Sequence, residues 1–269
     1  MINGIINVYK EKGYTSHDVV AKLRGILKQK KIGHTGTLDP DAEGVLPVCL
    51  GKGTKLCDML TDKDKTYRAV MRLGVITDTQ DSSGNILDEN DISGLNEEIV
   101  KETILGFIGD YDQIPPMYSA LKVNGKKLYE LAREGIEVER KARRIHIYDI
   151  EIENIELPYV TMKVSCSKGT YIRTLCHDIG AKLKTGACMD KLTRTKVSLF
   201  NIEESLKLSE IEKYRDSGEL NKYIKNVDDV FDNLPKINIK PESDKLVYNG
   251  NPFADKDISD TNIEYIKCR

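Results

Sequence analysis

With 269 residues, of which 39% are hydrophobic and 31% charged, the chain has an ordinary globular composition, with room for one large domain or a domain plus an appendage. No run approaches eighteen consecutive apolar residues, and the opening Met1 to Lys10 is too polar for a signal peptide, so neither a membrane span nor a secretory leader is expected. The net charge of −2 rules out a uniformly basic, polyanion-coating protein.

In chain order, the apolar start to Lys10 predicts a first strand. Ser16 is then placed as the N-cap of a helix carrying Val19, Val20, Leu23, Ile26 and Leu27 on one face. A loop follows from Gly33 to Pro47, Gly-His-Thr-Gly-Thr-Leu-Asp-Pro-Asp-Ala-Glu-Gly-Val-Leu-Pro. Pro40 disfavours helix at the residue before it, so Asp39 is expected at a rigid bend, the kind of position that presents a carboxylate; the same residue types also build ordinary surface turns. Val45 to Leu50 and residues 67–75 read as strands, and Asp78 to Asp91 as a hairpin or exposed loop. Asn96 to Phe107 has helical spacing, residues 143–153 and 159–166 alternate as paired strands, and Thr174 to Leu183 predicts another helix. Without a regular βαβ repeat, these elements predict an α+β fold on a mixed, mostly antiparallel sheet flanked by helices.

Charge is unevenly distributed. Residues 1–73 hold 13 Lys/Arg against 8 Asp/Glu and residues 163–200 hold 8 against 2, whereas residues 74–121 hold 1 against 10. The basic segments suit phosphate contacts while the acidic ones are expected to face away, although charge runs are also common on solvated faces. The six cysteines form no C-x-x-C pair and the four histidines no H-x₃₋₅-H, which disfavours structural zinc and a disulfide framework and fits a reducing cytoplasm.

The pattern G-H-T-G-x-L-D-P-x-A-x-G-x-L-P from Gly33 to Pro47 resembles the catalytic-aspartate motif of the TruB family of tRNA pseudouridine synthases. Four further blocks resemble that family in the same order: Lys65 to Ala69 (KTYRA), Ile114 to Lys122 (IPPMYSALK), Leu128 to Gly135 (LYELAREG) and Cys166 to Leu175 (CSKGTYIRTL). The resemblance spans about residues 2 to 198 and implies the pseudouridine synthase fold for residues 1–232. Residues 233–269 stand where the family carries a C-terminal PUA domain, but are too few for a complete one; a short β-rich segment, a reduced form of that domain, is expected there.

The activity implied is isomerisation of uridine 55 in the tRNA T loop, with the base extruded into a pocket. The resemblance makes Asp39 the catalytic nucleophile, with attack on the sugar, attack on the base and proton abstraction all open to it. Arg173 is implied as its partner through a planar two-point contact, and Tyr67 as the ring that packs on the base and helps move the C5 proton. Tyr171 and Leu192 match substrate-pocket positions, and His34 a residue associated with opening the RNA loop. Lys10 matches a substrate-binding position, although Glu11 replaces a family proline there.

Alternative functions fit less well. Gly51-Lys52-Gly53-Thr54-Lys55 is not a P-loop, because position 46 is leucine where glycine is needed. Asp39, Asp41 and Glu43 lack a histidine partner and alternate along the chain, so no metal and no cofactor is expected. A non-catalytic RNA-binding or tRNA-folding module remains open, as does an RNA-guided enzyme. The absence of a long basic tail favours stand-alone action on the tRNA T stem-loop without guide RNA, and a monomer is expected.

Overall fold

A computed structural model describes residues 1–231 and 237–259, and the chain divides into two units, Met1–Val227 and Asp228–Arg269. The first begins with β1 (Gly4–Lys10), α1 (Ser16–Leu27), β2 (Ile32–His34), β3 (Glu43–Leu50), α2 (Cys57–Thr61) and β4 (Lys65–Leu73). A hairpin of β5 (Val75–Thr77) and β6 (Ile86–Glu89) precedes α3 (Glu97–Leu105) and β7 (Gly109–Gln113). Two-residue strands β8 (Lys122–Val123) and β9 (Lys126–Lys127) lead into α4 (Leu128–Arg133). Then come β10 (Arg143–Glu156), β11 (Tyr159–Cys166), α5 (Ile172–Leu183), β12 (Ala187–Val197), β13 (Phe200–Asn201), α6 (Leu208–Asp216) and β14 (Ile224–Lys225).

Ten strands form one sheet in the order β14-β1-β3-β12-β4-β11-β10-β7, with β13 on β12 and β2 on β3. Its neighbours run antiparallel except β12 against β3, where Thr193 pairs with Glu43 and Arg194 with Gly44. The sheet is mixed and mostly antiparallel, as the pattern implied.

Period-two alternation sets what faces inward. Along β4, Lys65, Tyr67, Ala69, Met71 and Leu73 are buried while Arg68 is exposed. Along β11, Val160, Met162, Val164 and Cys166 turn the same way. All of these except Lys65, with Ile145 and Ile147 of β10, pack under Val100 and Ile104 of α3 and Leu175 and Ile179 of α5. A second core joins Ile6, Val8, Leu46 and Val48 to Val19 and Leu23 of α1 and Ile211 of α6. Leu38, next to Asp39, belongs to the first core.

Four local features differ from the sequence reading. Thr15, not Ser16, caps α1: its hydroxyl accepts from Asp18 N–H (3.1 Å) and the Asp18 carboxylate accepts from Thr15 N–H (2.8 Å). Ser16 is freed for the Asp39 loop. Helix α5 begins at Ile172, two residues before the predicted Thr174, which draws Arg173 into its buried first turn. Residues 187–197 form a central strand that the sequence did not announce, because Asp190, Lys191, Arg194 and Lys196 break its apolar pattern. Glycine 74, at φ +84°, ends β4 before the predicted residue 75.

Gly44 lets β3 and β12 meet. It sits at φ +104°, and a Cβ there would lie 2.3 Å from the Arg194 carbonyl oxygen. Gly44→Ala is therefore expected to destabilise by about 3 kcal/mol or more, combining backbone strain with a clash against main chain. For a domain of this size that lowers the Tm by roughly 10 °C, read by calorimetry or thermal melting in circular dichroism.

The expected boundary at residue 232 lies outside the described residues. In the second unit, the described residues contain a short helix, α7 (Asp244–Tyr248), and one bridge between Ile239 and Ile258. No helix among the described residues is long and apolar enough to cross a membrane.

Candidate active site

Asp39 stands on a loop pinned from several sides. Leu38 is buried beneath it, and its N–H donates to the Ser16 hydroxyl at 2.9 Å. Gly13 N–H donates to the Pro40 carbonyl at 2.9 Å, and Ala42 N–H to the Asp39 carbonyl at 3.1 Å. Lys10, fully buried at the end of β1, donates from Nζ to the Pro40 carbonyl at 3.1 Å and also to that of Ala42. Burial brings this ammonium down to about 8. Lys10, expected at a substrate-binding position, has its ammonium under the Asp39 loop, where it braces Pro40 and Ala42. The turn closes against Pro40 even though Glu11 replaces the proline.

With its backbone so held, the Asp39 side chain remains 43% exposed. Arg173, whose side chain is 6% exposed, meets it from α5, with Nε 3.1 Å from Oδ2. The expected two-point fork onto Asp39 is absent. The other guanidinium nitrogens hold the scaffold: Nη1 donates to the Thr79 carbonyl at 3.0 Å and Nη2 to the Tyr118 carbonyl at 2.8 Å. Asp81 Oδ2 lies 3.7 Å from Nη1. The acidic segment expected to face away thus supplies Thr79, Asp81 and Tyr118 to this cation. A buried guanidinium needs such partners, since every unpaired donor would carry its full desolvation cost.

Tyr67 projects from the inward face of β4, 8% exposed, and burial raises its phenol above the usual tyrosine range. The Arg194 guanidinium beside it acts in the opposite sense. Arg194 is 1% exposed; Nε donates to the Val45 carbonyl at 2.7 Å and Nη2 to the Gly36 carbonyl at 3.2 Å. One cation therefore ties the phenol to the strand and loop on either side of Asp39. Sequence reading missed it. The signal was present, a charged residue two positions after Leu192, but recognising it required knowing that 187–197 is a central strand.

Leu192 lies in the same core as Tyr67 and Leu38. Tyr171, half-buried, immediately precedes α5. His34 ends β2, its ring edge-on to His17 of α1 with centroids 5.3 Å apart. Burial, His17 and Arg194 all lower the His34 pKa, so the imidazole is neutral at neutral pH. The structure thus joins Asp39 to Arg173 and Tyr67 to Arg194 around one loop, puts Lys10 under that loop, and sets His34 with His17 at its start. Two surface cavities, of about 290 and 420 Å³, open elsewhere and include none of these residues.

Chemically, this is a presented anion with a fixed counter-charge, beside a phenol that is protonated at neutral pH. Among the described residues, no cluster of His, Cys, Asp and Glu is arranged to hold a metal ion.

Residues 24–172 match the TruB family pseudouridylate synthase N-terminal domain, and residues 173–232 match the tRNA pseudouridylate synthase B C-terminal domain. The chain belongs to the TruB family. Its activity class is that of a pseudouridine synthase. A protein named tRNA pseudouridine synthase B from Lachnoclostridium phytofermentans is 56% identical over 266 residues, covering 96% of this chain and 86% of that protein. A protein of the same name from Clostridium perfringens is 47% identical, covering 99% and 90%. Among solved structures, a Cbf5-Nop10-Gar1 complex contains a chain 32% identical, with a TM-score of 0.75, covering 95% of this chain and 69% of that one. An H/ACA RNP bound to a substrate RNA containing 2'-deoxyuridine contains a chain 30% identical, with a TM-score of 0.73 and the same coverage. In this TruB-family chain the two matched regions meet in the first turn of α5, so Asp39 and Tyr67 come from one and Arg173, Leu192 and Arg194 from the other.

Proposed function

We propose that this protein converts the T-loop uridine at tRNA position 55 to pseudouridine, as a cytosolic monomer that needs no guide RNA, with Asp39 as its catalytic carboxylate. The observation that carries the reading is the Asp39–Arg173 pair, a half-exposed anion held at 3.1 Å by a buried guanidinium. A module that only bound RNA would have no use for so costly an arrangement, because buried charge must be compensated on every side. The relatives named tRNA pseudouridine synthase B, at 47–56% identity, support tRNA as the substrate.

The isomerisation breaks the bond from uracil N1 to the ribose and forms one from C5; the C5 proton departs and N1 regains one, so composition is unchanged. The extruded base stands over the Asp39 loop and packs against Tyr67. Asp39 engages it while Arg173, 3.1 Å away, keeps the carboxylate aimed. Tyr171 and Leu192 line the pocket that receives the base, Tyr67 assists transfer of the C5 proton, and His34 stacks against a displaced loop base.

A minimal T-stem-loop hairpin is expected to be modified nearly as well as whole tRNA, with EDTA present and nothing else added. Loop nucleotides are free of regular pairing, which makes extrusion cheap. Binding should weaken steeply with salt as phosphate contacts release counterions. Carbodiimide primer extension maps the product. An unmodified hairpin, or modification only after a guide RNA is supplied, would overturn the stand-alone reading.

A further inference from the structure

Gln113, the last residue of β7, is 1% exposed and grips backbone. Its Oε1 accepts from Tyr171 N–H at 2.8 Å, and its Nε2 donates to the Tyr171 carbonyl at 3.0 Å. Nε2 also donates to the Tyr111 phenol oxygen, and that hydroxyl donates to Asp178 Oδ2 of α5 at 3.0 Å. Farther along the same connection, the Tyr118 carbonyl accepts from Arg173 Nη2 at 2.8 Å. The segment from 113 to 118 therefore holds residues 171 to 173 at two points.

We propose that Gln113 is a positioning residue for the reaction, setting where Tyr171 and Arg173 stand relative to Asp39. The inference rests on the reading that Arg173 aims the Asp39 carboxylate. Gross anchoring of these elements is supplied elsewhere. Strand β7 is held to β10 by pairing from Gly109 with Ile147 to Gln113 with Arg143. Helix α5 is held by Ile172, Leu175 and Ile179 in the core. What those contacts leave free is the exact axial and rotational setting of the first turn of α5, because apolar packing has little directionality. A primary amide carries donor and acceptor in one plane, so it can read one residue's N–H and C=O together. An apolar side chain would fill the same space without the cost of burying an amide.

The test uses Gln113→Leu and Gln113→Glu in the full chain, with single-turnover pseudouridine formation on the T-stem-loop, filter binding of that RNA and thermal melting. Gln113→Leu should lose rate on the order of a hundredfold, as expected for a misplaced catalytic partner, with affinity within about threefold of wild type and the protein folded at assay temperature. Gln113→Glu keeps the shape. As a carboxylate it lacks the donor for the Tyr171 carbonyl, but protonated it again offers one donor and one acceptor. Facing it are the Tyr111 phenol with Asp178 behind it, Arg143 across the strand pair, and Arg173 two residues past Tyr171. The ratio of Gln113→Glu to wild-type rate should rise as pH falls from neutral toward about 5. If Gln113→Leu does not fold, this ratio decides the matter, measured where melting shows the variant folded. A wild-type rate in Gln113→Leu, a loss confined to affinity, or a folded Gln113→Glu with no acid recovery would each overturn the inference alone. A wild-type protein that forms no pseudouridine would overturn the functional reading, and this inference with it.

Discussion

Asp39→Asn is expected to abolish pseudouridine formation while leaving RNA affinity within a few-fold of wild type. The substitution keeps the size of the side chain and its capacity to accept a hydrogen bond, and removes only the anion. The fold should survive, because the loop is held through backbone by Ser16, Gly13 and Lys10 rather than through the carboxylate. Arg173 keeps its bonds to the Thr79 and Tyr118 carbonyls and has Asp81 nearby, so it is not stranded as a bare charge. Affinity for RNA is dominated by Lys and Arg contacts to phosphate, which the change does not touch. Tritium release from [5-³H]uridine-labelled tRNA, with a filter-binding isotherm, separates the two effects. Turnover near the wild-type rate would remove Asp39 from the mechanism.

Arg173→Lys should be nearly as damaging although the charge is kept. The guanidinium works as a three-way joint, with Nε on Asp39 at 3.1 Å, Nη1 on the Thr79 carbonyl at 3.0 Å and Nη2 on the Tyr118 carbonyl at 2.8 Å. An ammonium is a compact point charge and cannot span three partners lying in the directions of a planar fork. Either Asp39 or the two carbonyls would lose their donor, and the carboxylate its aim. A loss on the order of a hundredfold in single-turnover rate is expected, with modest change in affinity. A normal single-turnover rate would make Arg173 peripheral. Because the fork is spent on fixing the cation itself, lysine forfeits that anchoring as well as the contact with Asp39.

Some of this was legible before any coordinates. Alternation of apolar side chains placed β4, β10 and β11, because a strand with one buried face must repeat every two residues. The Gly33 to Pro47 run put Asp39 at a bend, because proline fixes its own φ and disfavours helix at the residue before it, and the family resemblance singled out its carboxylate. By contrast, β12 was hidden: it is a central strand with neighbours on both sides, yet it carries Arg194 inward where a pattern reader expects an apolar residue. Burying that guanidinium is tolerable only because the Gly36 and Val45 carbonyls and the Tyr67 phenol surround it, and those partners lie about 130 to 160 residues away along the chain. The same holds for Lys10, given by the resemblance as a substrate-binding position, whose ammonium the fold buries as a brace under Asp39. The sequence by itself determined the family, the sheet's apolar strands and the identity of the carboxylate, because these rest on local pattern. Only the tertiary structure decided which cations are buried and what they hold, because a charge can leave water only where distant backbone supplies its hydrogen bonds.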